Sequence, residues 1–128
     1  MIDQLLGHQN YQLAKHLLDA ASLRHEALAT NIANLETPGF KRLDLSPDFA
    51  LQLEKVAAAG PASAEPLRLT PTVVQDLNAR AVRPDGNSVE LDRELIELSR
   101  NTLEYDFLSQ FASDSIKRLR TAITGRVQ

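Results

Sequence analysis

The run from Leu91 to Ile123, LDRELIELSRNTLEYDFLSQFASDSIKRLRTAI, sets Leu91, Leu95, Leu98, Thr102, Tyr105, Ser109, Ala112, Ile116, Leu119 and Ile123 at alternating spacings of four and three. Side chains three and four apart share one face of a helix, so this is the seam of a helix that packs along its length on another. Ile96, Leu103, Phe107, Leu108 and Phe111 add a second apolar strip beside it. At its usual rise such a helix reaches roughly 50 Å. Asp92, Glu94 and Glu97 come early and Lys117, Arg118 and Arg120 late, an order that complements the helix dipole. Arg93 with Glu97, Arg100 with Glu104 and Asp114 with Arg118 stand four apart, where each pair adds a few tenths of a kcal/mol.

Proline defines the rest of the layout. Pro38, Pro47, Pro61, Pro66, Pro71 and Pro84 are all six prolines, so an uninterrupted long helix is possible only before and after them. In the first flank Tyr11, Ala14, Leu18, Ala21, His25, Leu28, Ile32 and Leu35 repeat the three-four seam, with Leu13, Leu17 and Leu23 widening it. That helix spans roughly 37 Å. The expected fold is all-α: helices near residues 9–35 and 90–124 packed as an antiparallel coiled-coil-like pair, joined by an irregular Pro-rich connector loop. The expected segments are 1–40, the first helix and its terminal turn; 41–88, an irregular and partly mobile connector; and 89–128, the second helix. Within the connector, Lys55 to Pro66 is rich in Ala, Pro and Ser and reads as mobile. Phe49 to Leu53 reads as a brief helical turn, and Arg68-Leu69-Thr70 and Ala81-Val82 as extended.

Composition narrows the function classes. The 128 residues suit one ordinary domain, 43% of them are hydrophobic, and only 5% are aromatic. Leu and Ala, both strong helix formers, supply the apolar mass. A net charge of −3 gives no electrostatic footprint for nucleic acid. With no cysteine there is no disulfide, thiolate zinc site or thiol catalysis. His8, His16 and His25 lie eight and nine apart, whereas zinc ligands on one helix face need three or four. Neither a Ser-His-acid signature nor a glycine-rich phosphate loop appears, so no cofactor, metal or small-molecule substrate is expected. The opening Met1-Ile2-Asp3 has an acid where a secretory signal carries a base, and no run is long and apolar enough to span a bilayer. On these grounds alone the chain reads as soluble and not secreted by the general route.

Two segments carry more specific information. Asn31-Ile32-Ala33-Asn34-Leu35-Glu36-Thr37-Pro38-Gly39-Phe40 ends a helix and turns the chain. Thr37 before a proline leaves the helical region, Pro38 suits the first central position of a turn, and Gly39 suits a second central position with positive φ. Asn31 and Asn34 are placed to bond backbone groups freed at the helix end, and Phe40 to pack back on the helix. In the second segment, Asp85-Gly86-Asn87-Ser88-Val89-Glu90-Leu91-Asp92-Arg93-Glu94, Asp85-Gly86 signals a turn. Asn87 with Glu90 has capping-box spacing, and Asp92 is the other candidate N-cap. Its acids fall short of a calcium loop, which needs regularly spaced oxygens closed by a bidentate Glu.

Taken together, the two segments resemble bacterial flagellar rod and hook proteins. Asn31-Ile32-Ala33-Asn34 followed by Thr37-Pro38-Gly39-Phe40 is similar to that family's N-terminal signature. Asp85, Gly86, Asn87, Val89, Leu91, Asp92 and Glu94 are similar to the stretch that opens the C-terminal helix of its small rod members. Asp92-Arg93-Glu94 and Asn101-x-Leu103-x-Tyr105 look closest to the protein of the proximal rod, and the short length agrees. Thr30, Leu35 and Glu36 depart from the usual residues, and Ser46-Pro47 looks inserted before Asp48-Phe49.

The resemblance implies a structural, non-enzymatic subunit. It would be exported through the flagellar type III apparatus and assembled with copies of itself into a periplasmic rod that transmits torque. Its implied partners are other rod proteins including FlgC, and the junction protein FliE near the membrane ring. Packing is expected to fall on Leu18, Leu28, Ile32, Leu98, Tyr105, Ile116 and Leu119. The alternatives are FlgC itself, a cytoplasmic coiled-coil adaptor or chaperone, and a small glycan hydrolase. The hydrolase would need paired carboxylates across a cleft.

Overall fold

The computed structural model describes residues 2–59, 69–80 and 82–125, with side chains of the first helix described from Asn10 onward. The order is α1 (Ile2–Ala33), β1 (Leu43–Leu45), α2 (Pro47–Ala59), β2 (Val73–Gln75) and α3 (Leu91–Thr124). Most of the described chain is therefore helix, and its two long helices lie in the proline-free flanks. Gly125 closes α3 in the left-handed region at φ 64°, its amide donating to the Thr121 carbonyl at 2.8 Å.

The segment 41–88 holds more order than an irregular loop. β1 and β2 pair antiparallel, with Leu43 opposite Gln75, Asp44 opposite Val74 and Leu45 opposite Val73. The Ser46 amide extends the ladder to the Thr72 carbonyl at 2.7 Å, and the Asp76 amide to the Arg42 carbonyl at 2.8 Å. The expected turn at Phe49–Leu53 is a 13-residue helix. Ser46-Pro47 is its start signal. Ser46 Oγ accepts from the Asp48 amide at 3.3 Å, and Pro47 occupies the first helical position, where no donor is needed. The helix continues through Lys55–Ala59, where mobility was expected; the remainder of that stretch, 60–66, lies outside the described residues. The expected extended pieces are not the observed strands. Leu69, Thr70 and Val82 lie outside β1 and β2, and Arg68 and Ala81 lie outside the described residues.

Apolar periodicity explains how the elements pack. Phe49, Leu53 and Val56 stand on one face of α2 and pack against Leu13, Leu17 and Ala20 of α1, together with Leu45 and Leu69. The α1 side facing the rest of the molecule is lined with small residues: Ala14, Ala20, Ala21 and Ala27 are all buried beside Leu28. Short side chains let neighbouring backbone come close, which is how Asn101 of α3 reaches the Ala21 carbonyl at 2.8 Å.

The seam itself is shifted from the expected one. Asn31 is buried where Ile32 was expected, and Glu94, Asn101 and Leu108 are buried where Leu95, Thr102 and Ser109 were expected. Ala14, Ala21, Leu28 and Ala112 keep their places; Leu18, Ile32 and Leu98 are half-buried; Tyr105, Ile116 and Leu119 are exposed, as is His25. The cause is polar pairing. Asn31, Glu94 and Asn101 each find partners across the contact, so the α3 stripe shifts by one position, and α1 adds Asn31, to bury them satisfied. The i,i+4 ion pairs also rearrange: Arg100 lies 3.6 Å from Glu97 and Lys117 3.7 Å from Asp114, both three apart, while Arg93 turns to Asp76 at 3.4 Å.

Leu28 is fully buried, so Leu28→Ala is expected to lower stability by about 3 kcal/mol. Leu103 is 70% exposed, and Leu103→Ala is expected to change the isolated chain by under about 0.5 kcal/mol. Urea unfolding followed by circular dichroism measures both; equal losses would contradict this placement of the core.

Candidate assembly site at the helix-end junction

The two segments singled out in the sequence are bound to each other. At the end of α1, the Phe40 amide donates to the Thr37 carbonyl at 3.3 Å around Pro38 and Gly39, with Gly39 at φ 73°. Only glycine adopts that φ without strain. Asn34 caps the helix from within, its Nδ2 donating to the Thr30 carbonyl at 2.8 Å and its Oδ1 accepting from Thr37 Oγ1 at 3.1 Å. The turn then meets the second segment. The Gly39 amide donates to the Asp85 carbonyl at 2.8 Å, and the Ser88 amide to the Phe40 carbonyl at 3.0 Å. Lys41 Nζ reaches the Gly86 carbonyl at 2.6 Å. Gly86, at φ 85°, passes close to Gly39: a Cβ on Gly86 would stand 3.4 Å from the Gly39 Cα.

Asn87 is the clasp. It is fully buried, and its Nδ2 donates to the carbonyls of Asn34, Leu35 and Thr37 at 2.9, 3.0 and 2.8 Å. Those are carbonyls that the end of α1 leaves without helical partners. Its Oδ1 accepts from the Val89 amide at 2.8 Å. Arg83 Nη2 donates to the Leu35 carbonyl as well. Asn87 is thus a C-terminal cap for α1 supplied from a distance, not the N-cap of α3. That N-cap is Glu90, which makes no side-chain capping bond, and Asp92 is an exposed residue inside the helix.

Below the clasp lies a charged cluster that the sequence did not announce. Arg42 is 1% exposed, and its Nε donates to Glu94, itself fully buried. Its Nη1 donates to Asp44 and to Asp76, both at 2.8 Å. Arg24 on α1 bridges Asp44 at 2.9 Å and Glu97 at 2.9 Å. Asn31 completes the set: its Nδ2 donates to the Leu43 carbonyl at 2.8 Å and to Glu94 Oε2 at 3.0 Å, and its Oδ1 accepts from the Leu43 amide at 2.8 Å. Asn31 therefore ties α1 to β1 and α3 rather than bonding its own helix end. Glu94, expected on the helix surface near the dipole, is the buried partner of Arg42. Arg24, Arg42, Asp44 and Asp76 were missed because a lone charge in a mixed sequence ordinarily reads as a solvated face.

Arg24, Arg42 and Asp44 favour one another's charged forms. Burial alone would push the Asp44 carboxyl up, but hydrogen bonds from Arg24, Arg42 and the Leu45 amide outweigh it and hold the group below its ordinary range. Burial likewise works against the Arg42 cation, yet its bonds to Asp44 and Glu94 raise its pKa further. The hydrogen bond to Asp44 raises that of Arg24.

The described residues contain no group of three His, Asp or Glu placed to hold a metal ion, and no helix long and apolar enough to cross a membrane. The carboxylates at the junction face guanidiniums rather than an open cleft. Large apolar side chains stand outside it: Ile96, Leu103, Phe107 and Ile123 of α3 are 54, 70, 69 and 83% exposed.

A polar junction that fixes two long helices, with apolar strips left on an outer face, defines a helical structural subunit. No family model matches the chain. It is 32% identical to the flagellar basal body rod protein FlgB of Escherichia coli, over 96% of this chain and 97% of that protein. It is 35% identical to the protein of the same name from Yersinia enterocolitica, over 82% and 85%, and 30% identical to that of Salmonella typhimurium, over 98% and 99%. The chain belongs to the FlgB family of flagellar basal body rod proteins. Its place is the rod of the bacterial flagellar basal body, where it is a structural component.

Because the folded-state pKa of Asp44 is depressed, its contribution to stability is present above the unfolded carboxylate value and is lost as pH falls through the lower folded value. Asp44→Asn is expected to cost roughly 2 kcal/mol near neutral pH. That gap from the native chain should close as pH falls below about 4. Unfolding midpoints measured across pH check this; a gap of constant size would remove the ionised Asp44 from the account.

Proposed function

We propose that this chain is a subunit of the proximal rod, assembling helically with its own copies through its terminal helices and transmitting torque outward from the membrane ring. The observation that carries this is the clasp between 31–40 and 83–94. It spends the polar groups of both segments on each other and leaves the apolar strip of α3 outward. Such a subunit is stiff at its junction and adhesive along its length.

In this reading α1 and α3 form an antiparallel coiled-coil-like pair. The order of the cross-helix bonds supports it: Asn31 meets Glu94, Arg24 meets Glu97, and the Ala21 carbonyl meets Asn101. Residues 1–40 and 89–128 supply the rod core. Residues 41–88 brace it through β1, α2 and β2. The site residues then have a mechanical role: Asn31, Asn34, Pro38, Gly39 and Asn87 set the angle at which the chain leaves α1, and Glu94 sets how α3 enters.

The subunit works without catalysis, cofactor or small-molecule substrate. Its partners are copies of itself, the neighbouring rod protein FlgC, the junction protein FliE, and the flagellar type III apparatus that exports it to the periplasm. A chain threaded through a narrow channel gains from having no cysteine to cross-link on the way.

Mass spectrometry of purified basal bodies tests the role. Peptides from this chain are expected in basal bodies from the source cell and should disappear when the rod is missing. Intact basal bodies that lack the chain while it stays in the cytosol would refute the assignment.

A further inference from the structure

The outer faces of α1 and α3 are mates. On a helix turning by about 100° per residue, Ile96, Leu103 and Phe107 stand about opposite Glu94 and Ala112, which face inward. Together with Arg100 they make a row at positions 96, 100, 103 and 107, large and apolar apart from one cation. The Arg100 side chain is 72% exposed, with only a 3.6 Å contact to Glu97. On the outside of α1, Ser22, Glu26, Ala29 and Ala33 form an exposed row with the same spacing. This second row is small apart from one anion, and the Glu26 carboxylate has no ion-pair partner among the described residues.

We propose that the Ile96–Phe107 face of one copy docks on the Ser22–Ala33 face of the next. This rests on the rod-subunit reading above and names the surfaces through which its copies meet. The large Ile96 and Phe107 find the small Ala33 and Ser22, which is how helices come close enough to exclude water. One cation also finds one anion. Because the two faces differ, the contact is heterologous, and repeated heterologous contacts propagate a helical array rather than closing a dimer. Copies in such an array keep one polarity along its axis, so α3 of one runs opposite to α1 of the next. The 4-3-4 spacing reads the same in both directions, so the rows mesh in that opposed sense. Ala33 then lies against Ile96, Ala29 against Arg100, Glu26 against Leu103 and Ser22 against Phe107. Glu26 stands one turn from Arg100, within reach of its long side chain. The same register sets Lys15 against Asp114, a second exposed pair of opposite charge.

The test uses two differently tagged full-length chains produced together in the flagellated source cell. One carries Ser22→Cys and the other Gln110→Cys, a neighbour of Phe107 that leaves the proposed row intact. The natural chain has no cysteine, so every thiol in it is one placed for the purpose. A short bifunctional maleimide applied to purified basal bodies should join the two tags. Adding Arg100→Glu to the Gln110→Cys chain should cut that product roughly tenfold, and adding Glu26→Arg to its mate should restore it. Both chains present in basal bodies but not joined would overturn the interface. So would joining of the Ser22→Cys chain to a different protein alone, or charge reversals without effect. Absence of both chains from basal bodies would refute the rod reading itself, and the interface with it.

Discussion

The structure depends on one buried ion pair. Arg42 and Glu94 are both out of water, and they stand 52 residues apart in the chain. An isolated charge at either position would be costly to bury, so each residue obliges the other to be present. Neighbouring groups serve further donors and acceptors of the pair: Asp44 and Asp76 take Nη1 of Arg42, and Asn31 donates to Glu94, while Arg42 Nη2 is left buried without a partner. Because Arg42 precedes β1 and Asp76 follows β2, the same pair anchors the two-stranded ladder to α1 and α3. A hydrophobic contact would give comparable stability with less precision. The network gives direction, since a guanidinium accepts its carboxylates only in the plane of its fork.

Above that pair, Asn87 converts two chain segments into one unit. Each helix end leaves backbone groups without helical partners, and just past the end of α1 three carbonyls converge on a single side-chain amide. The connector can therefore be long, with a helix of its own, while the two helices still meet in a fixed relation. Polar groups of the two segments are consumed at the junction, while Leu103, Phe107 and Ile123 of α3 remain exposed.

Much of this was legible in the sequence, for stated physical reasons. The proline-free flanks and the three-four spacing located α1 and α3, because helix periodicity is a strong signal over thirty residues. Thr37-Pro38-Gly39 marked the turn through its own backbone chemistry. The exact seam was not legible. Apolar counting favours Ile32 and Leu95, whereas the molecule buries Asn31 and Glu94, and that choice depends on partners more than sixty residues away in one case and across a strand in the other. Arg42 carried no local mark at all. By contrast, Ser46-Pro47-Asp48 did carry one, a helix start.

The most direct test of the central interaction is a double-mutant cycle on Arg42 and Glu94, read by urea unfolding. Arg42→Met and Glu94→Gln are each expected to cost about 3–5 kcal/mol, because each strands a buried charge or its partners. The double variant should cost clearly less than the two losses added, since the second change removes the group that the first left unpaired. Small and additive losses would contradict the account and show that the junction is held by packing alone.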